Sequence, residues 1–132
     1  MSISEEAHEL LGLMAYIYLE YNRPEKSVIL LQALDAIGST NSREQAMLAL
    51  AQLRVGKPDT ALDTLDRLAL SGTQDASCHL IRSQALHALQ RPIEAQAAMQ
   101  TYLRLRAKQA SRHTDDSAAS LSRSTLPESS LP

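Results

Sequence analysis

The side chains best suited to chemistry are four histidines, His8, His79, His87 and His113, and a single cysteine, Cys78. His79 and His87 stand eight residues apart, a rise of about 12 Å on a helix, too far for one metal ion to bridge. Cys78 beside His79 pairs a thiol with a base in sequence. Adjacent residues on a helix point in different directions, so the two lack the geometry of an activated nucleophile. The chain holds no HExxH, no paired cysteines, no glycine-rich phosphate loop and no G-x-S-x-G elbow. Asp59, Asp63 and Asp66 share one helix face near a helix start, where the helix dipole favours acids. Arg104, Arg106, Lys108 and Arg112 read in the matching way, as cations at the end of a last helix. The expectation is a protein that is not an enzyme and uses no cofactor and no metal.

The elements that carry these residues repeat. "NRPEKSV" at Asn22, "GKPDTAL" at Gly56 and "QRPIEAQ" at Gln90 set Pro24, Pro58 and Pro92 at intervals of 34 residues. Three residues beyond each proline stands a small side chain, Ser27, Ala61 or Ala95, and twelve residues before that stands another, Ala15, Ala49 or Ser83. Two helices cross closely only where the contacting side chains are small. Each of these small pairs is therefore expected face to face. Between the prolines the apolar period is helical, as in Leu10, Met14, Ile17 and Tyr21. Proline suits the first turn of a helix, where its missing N–H has no partner to lose. Gly38 and Gly72 follow the second helices as stops, and Asn41 or Ser42 starts the third helix.

The fold class that follows is all-α: three tandem helix pairs at the interval of the tetratricopeptide repeat, an α-solenoid, occupying residues 1–106. Composition agrees. Apolar residues make up 44% of the 132-residue chain, but Phe and Trp are absent, so Leu and Ala carry the core. Residues 107–132 are rich in serine and lack an apolar period, which predicts a disordered tail.

A net charge of −2 gives no case for nucleic acid or an anionic membrane. No apolar run approaches the roughly 20 residues of a membrane span, and Glu5 and Glu6 stand where a secretory signal would be basic. One cysteine suits a reducing compartment, so a cytoplasmic location is expected.

In stacked helix pairs the first helices line the concave face. The period places Gly12, Tyr16 and Leu19, then Ala46, Leu50 and Leu53, then Leu80, Gln84 and His87 on that face, rimmed by Glu20, Arg43 and Arg54. Tyr16, Leu19, Ala46, Leu50, Leu53, Leu80, Gln84 and His87 are thus the candidate partner-binding residues. An apolar groove with a charged rim suits an amphipathic helix or an extended apolar segment, with self-association expected when a partner is absent. No nucleic-acid partner and no membrane insertion are expected.

The segments "SVILLQALDAIG", "AMLALAQLRVGKPDTAL" and "HLIRSQALHALQRPIEAQAAMQTYLRLR" give the chain a resemblance to the small tetratricopeptide chaperones of bacterial type III secretion, virulence-associated proteins. The likeness is nearest to the YscY type, with the needle-subunit (YscG-type) chaperones second, and covers about residues 8 to 106. It implies a cytosolic chaperone that holds a small exported apparatus protein in its concave groove until export. Carried over by position, the contacts would be Tyr16, Leu19, Leu50, Leu53, Leu80 and His87. The alternative from a different class is a general protein–protein interaction scaffold or assembly factor unrelated to secretion.

Overall fold

The computed structural model describes residues 4–38, 40–72 and 74–129, with side chains in the last helix given for residues 92–112 and Thr114. Six helices follow one another: α1 (Glu5–Glu20), α2 (Pro24–Ala36), α3 (Ser42–Arg54), α4 (Pro58–Leu70), α5 (Ala76–Ala88) and α6 (Pro92–Ser129). There is no strand among the described residues. Packing runs α1 on α2, α2 on α3 and so on along the chain, with α3 also touching α1 and α5. That is a linear stack of three antiparallel pairs.

The turns inside the pairs repeat at the sequence period. Asn22, Gly56 and Gln90 all have positive φ, at 60°, 86° and 60°. In each turn the next residue's N–H reaches back five residues: Arg23 to Tyr18 O, Lys57 to Gln52 O and Arg91 to Leu86 O, at 2.7, 2.9 and 3.0 Å. This is the Schellman closure, which satisfies helix-end carbonyls by placing one residue in the left-handed region. Pro24, Pro58 and Pro92 then open the second helices as expected. Arg23 and Lys57, each preceding a proline, lie outside the helical region at φ −120°, as the proline ring requires. Between pairs, Gly38 and Gly72 turn the chain at positive φ. Asn41, rather than Ser42, caps α3, Asp75 caps α5, and Ser4 caps α1.

The core forms three clusters, and each joins one pair to the next. Ala15, Leu31 and Leu34 of the first pair meet Leu48 of α3. Ala49, Ala61, Leu65 and Leu68 of the second meet Cys78 and Ile81 of α5. Leu62 of α4 meets Ala85, Leu86, Ala95 and Ala98 of the third. Each fully buried leucine contributes roughly 2 kcal/mol. The six small residues expected at the pair crossings are all buried. At the third crossing the contact is explicit, since Ser83 Oγ donates to Ala95 O at 2.8 Å. Polar pairs tie the stack further: Thr64 Oγ1 donates to buried Gln52 at 2.7 Å, and Arg82 bridges from α5 to Asp66 of α4 at 2.9 Å.

α6 differs from the sequence expectation. Its backbone stays helical to Ser129, through most of the segment expected to be a disordered tail. Loss of the apolar period marks where burial ends, and burial does end there. Leu105 is half-buried, while Arg106–Arg112 and Thr114 are exposed. A helix needs no buried face to continue locally, and no Gly or Pro interrupts the chain between Ile93 and Leu126. Residues 130–132 of the expected tail lie outside the described residues. Because the helix continues, Arg104, Arg106, Lys108 and Arg112 are not in its last turn, and the helix dipole does not account for them.

Candidate partner-binding groove

The first helices of the three pairs enclose a groove of about 810 Å³. α1 supplies Gly12, Leu13, Tyr16 and Leu19, α3 supplies Ala46, Met47 and Leu50, and α5 supplies Ile81. Glu20, Arg43 and Arg54 line it as well, matching the expected rim. Four of the candidate partner-binding residues, Tyr16, Leu19, Ala46 and Leu50, therefore meet in one place.

The other four do not line the groove. Leu53 is half-buried and packs against the second and third core clusters, so its side chain serves the joint between pairs. Leu80 is half-buried, and Gln84 and His87 are exposed. The groove meets α5 at its start, through the cap residue Asp75, Ser77 and Ile81. Gln84 and His87 lie further along the helix, past the end of the groove. A 34-residue step assumes that every first helix meets the concave face at the same height, and α5 does not.

The groove also holds a polar constellation that periodicity did not reveal. Glu44, in the first turn of α3, is buried. Its backbone N–H donates to Asn41 Oδ1 at 2.8 Å, and its Oε1 accepts from the Asn41 N–H at 3.1 Å, a reciprocal capping box. The same Oε1 lies 2.8 Å from His8 Nε2 on α1. Gly12, one turn beyond His8, makes room for the carboxylate: a Cβ there would sit 2.7 Å from Glu44 Oε2. A glycine inside a helix costs about 1 kcal/mol relative to alanine, and this close approach explains its presence. Two signals in the sequence could have led here, the Asn41-x-x-Glu44 capping pattern and the isolated Gly12 inside a helical period.

At the other end of α1, Arg54 Nη1 donates to Leu19 O at 3.2 Å, placing a cation at a helix C-terminus and tying α3 to α1. Glu9, Glu20 and Arg43 line the groove without an ion pair among the described residues. They stand at the rim of an apolar floor.

Around Cys78 and His79 the electrostatics follow from burial. Cys78 sits in the second core cluster, and burial pushes its thiol above the ordinary range. Burial, with Arg82 nearby, draws His79 below its usual value. The Ser77 hydroxyl, donating at 2.6 Å, holds the Asp75 carboxyl below the usual range while Asp75 caps α5. No group of three or more His, Cys, Asp or Glu side chains suited to a metal occurs among the described residues. No helix among them is long and apolar enough to cross a membrane. No protein-family model matches the chain, and no curated protein matches it either.

Proposed function

We propose that the chain is a tetratricopeptide-type repeat protein that serves as a cytosolic chaperone of type III secretion, holding the apolar helix of a small exported apparatus protein in its groove. The observation that carries this reading is the groove itself, with an apolar floor from Leu13, Tyr16, Ala46, Met47, Leu50 and Ile81 and unpaired charges at its edge. A concave apolar surface with a polar rim suits a helix that is apolar on one side. The partner's apolar side chains would seat on Tyr16 and Leu50, while its flanking charges meet Glu9 and Arg43. Such a helix is insoluble alone and is kept from aggregating while its apolar side is covered.

The test is affinity purification of the tagged chain from its native cytosol, with the partner identified by mass spectrometry. A small helix-rich export substrate is the expected companion. Tyr16→Glu with Leu50→Glu should release it while helical circular dichroism is unchanged, since centrally placed apolar anchors dominate such interfaces. A folded double variant that keeps the partner overturns the groove. A partner unrelated to export, released by the same variant, overturns the secretion role and leaves the groove standing.

A further inference from the structure

Among the charged side chains that line the groove, Glu44 is the buried one, at 5% exposure. Its two oxygens are used unequally. Oε1 accepts the Asn41 N–H at 3.1 Å and lies 2.8 Å from His8 Nε2. Oε2 makes no hydrogen bond or ion pair among the described residues, although a carboxylate oxygen can accept two donors. Ser27 Oγ is the one fully enclosed side-chain polar atom without a partner among those residues, so Oε2 is still reached by solvent. It lies over Gly12, which has no side chain to cover it and itself lines the groove.

A wholly apolar segment laid over this point would take Oε2 out of water and give it nothing in exchange. Leaving an acceptor of a charged group buried and unpaired is costly. An occupant that covers the groove must therefore bring a donor to Glu44. The surrounding charge favours a cationic donor. Four acids line the groove, Glu9, Glu20, Glu44 and Asp75, against two bases, Arg43 and Arg54, and the balance stays negative even with His8 protonated. Arg54 is committed to Leu19 O, and Asp75 to the Ser77 hydroxyl and the Cys78 N–H. Arg43, beside Glu44 in sequence, makes no ion pair with it, since adjacent residues on a helix diverge.

We propose that the segment held in the groove carries a lysine or arginine within its apolar side, and that its cation bonds Glu44 Oε2 beside Gly12. This rests on the groove being the partner site, and it names what the partner brings there. Tyr16 lies one turn beyond Gly12 on α1, and Leu50 lies six residues beyond Glu44 on α3, about 9 Å along the helix. The basic residue of the partner thus stands close to the apolar side chains seated on Tyr16 and Leu50. A charge-assisted bond sheltered from water fixes the register of the bound segment and selects against segments that lack the cation.

The test is selection from a displayed library of amphipathic helical peptides, randomised on one face, with the immobilised full chain as bait. Calorimetry then measures a selected peptide against the same peptide with norleucine at its basic position. Selected peptides should share a lysine or arginine among apolar residues. The norleucine exchange should weaken binding to wild type roughly tenfold or more and change binding to Glu44→Gln little. Glutamine keeps the capping box, and circular dichroism checks that the variant is folded. Apolar peptides selected without a basic residue, and released by Tyr16→Glu, overturn the cation site and leave the groove standing. A norleucine exchange that costs wild type nothing, or costs wild type and Glu44→Gln alike, also overturns it. If no peptide is selected, or a folded Tyr16→Glu variant binds the selected ones as well as wild type does, the groove reading falls and this inference with it.

Discussion

Replacing Gly12 with alanine should destabilise the protein, although the same change in an open helix stabilises it. Alanine at an exposed mid-helix position is favoured over glycine by about 1 kcal/mol. Here the new Cβ would stand 2.7 Å from Glu44 Oε2, closer than two such atoms approach. A side-chain oxygen could ordinarily swing aside at little cost. This one is pinned, because Glu44 Oε1 accepts the Asn41 N–H at 3.1 Å and lies 2.8 Å from His8 Nε2. Moving the carboxylate gives up the return half of the capping box, about 1 kcal/mol. It also gives up the part-buried hydrogen bond to His8, about 1–1.5 kcal/mol. Against the gain of about 1 kcal/mol, Gly12→Ala comes out destabilising by about 1–2 kcal/mol. For a helical body near 100 residues that is a fall in Tm of roughly 4–16 °C.

The assay is a double-mutant cycle by thermal or urea unfolding. In a Glu44→Ala background the obstruction is gone, so Gly12→Ala should there raise stability by about 1 kcal/mol. The sign of the glycine substitution reverses with the identity of residue 44. A Gly12→Ala protein that is more stable than wild type in both backgrounds would refute the account of this glycine. It would also remove the packing of Glu44 against α1 as a constraint on the groove wall.

Three further outcomes follow from single contacts. Ser27 Oγ is buried with no hydrogen-bond partner among the described residues, so Ser27→Ala should raise stability by about 1 kcal/mol in urea unfolding, whereas Ser83→Ala, which loses the bond to Ala95 O, should lower it by a similar amount. Gln90 has φ 60° in a turn whose counterpart at position 56 is glycine, so Gln90→Gly should raise Tm by a few degrees, corresponding to about 1 kcal/mol. Leu53 joins the second and third clusters, so Leu53→Ala should cost about 2 kcal/mol of stability. Partner capture by the remaining folded Leu53→Ala protein should persist, because its side chain is not in the groove.

The helices and turns were legible in the sequence because their signals are local. Proline at a helix start, a small residue at a crossing and glycine in a left-handed turn each act within a few residues, and the period repeats them. Gln90 was the exception, a residue with ordinary φ preferences held at positive φ by the closure from Arg91 to Leu86 O. The length of α6 was misread because the loss of an apolar period reports where burial stops, not where hydrogen bonding along a helix stops. Glu44 escaped because a capping glutamate is ordinarily a surface feature. Its burial depends on His8 and Gly12, more than thirty residues earlier.

The groove residues show where a period stops being informative. Leu50 and Leu53 lie on the same helix three residues apart, about 60° around its axis. That angle separates a side chain at the groove wall from one wedged between two core clusters. Leu50 faces the groove and Leu53 packs into the joint between the second and third pairs. The polar contacts differ from pair to pair: Gln52 with Thr64 inside the second, Ser83 with the Ala95 carbonyl inside the third, and Arg82 with Asp66 across the two. None of these recurs at 34 residues, since the positions matching Gln52 are Tyr18 and Leu86. The repeat specifies which helices flank the groove, while the apolar packing at each joint decides which of their side chains are left to line it.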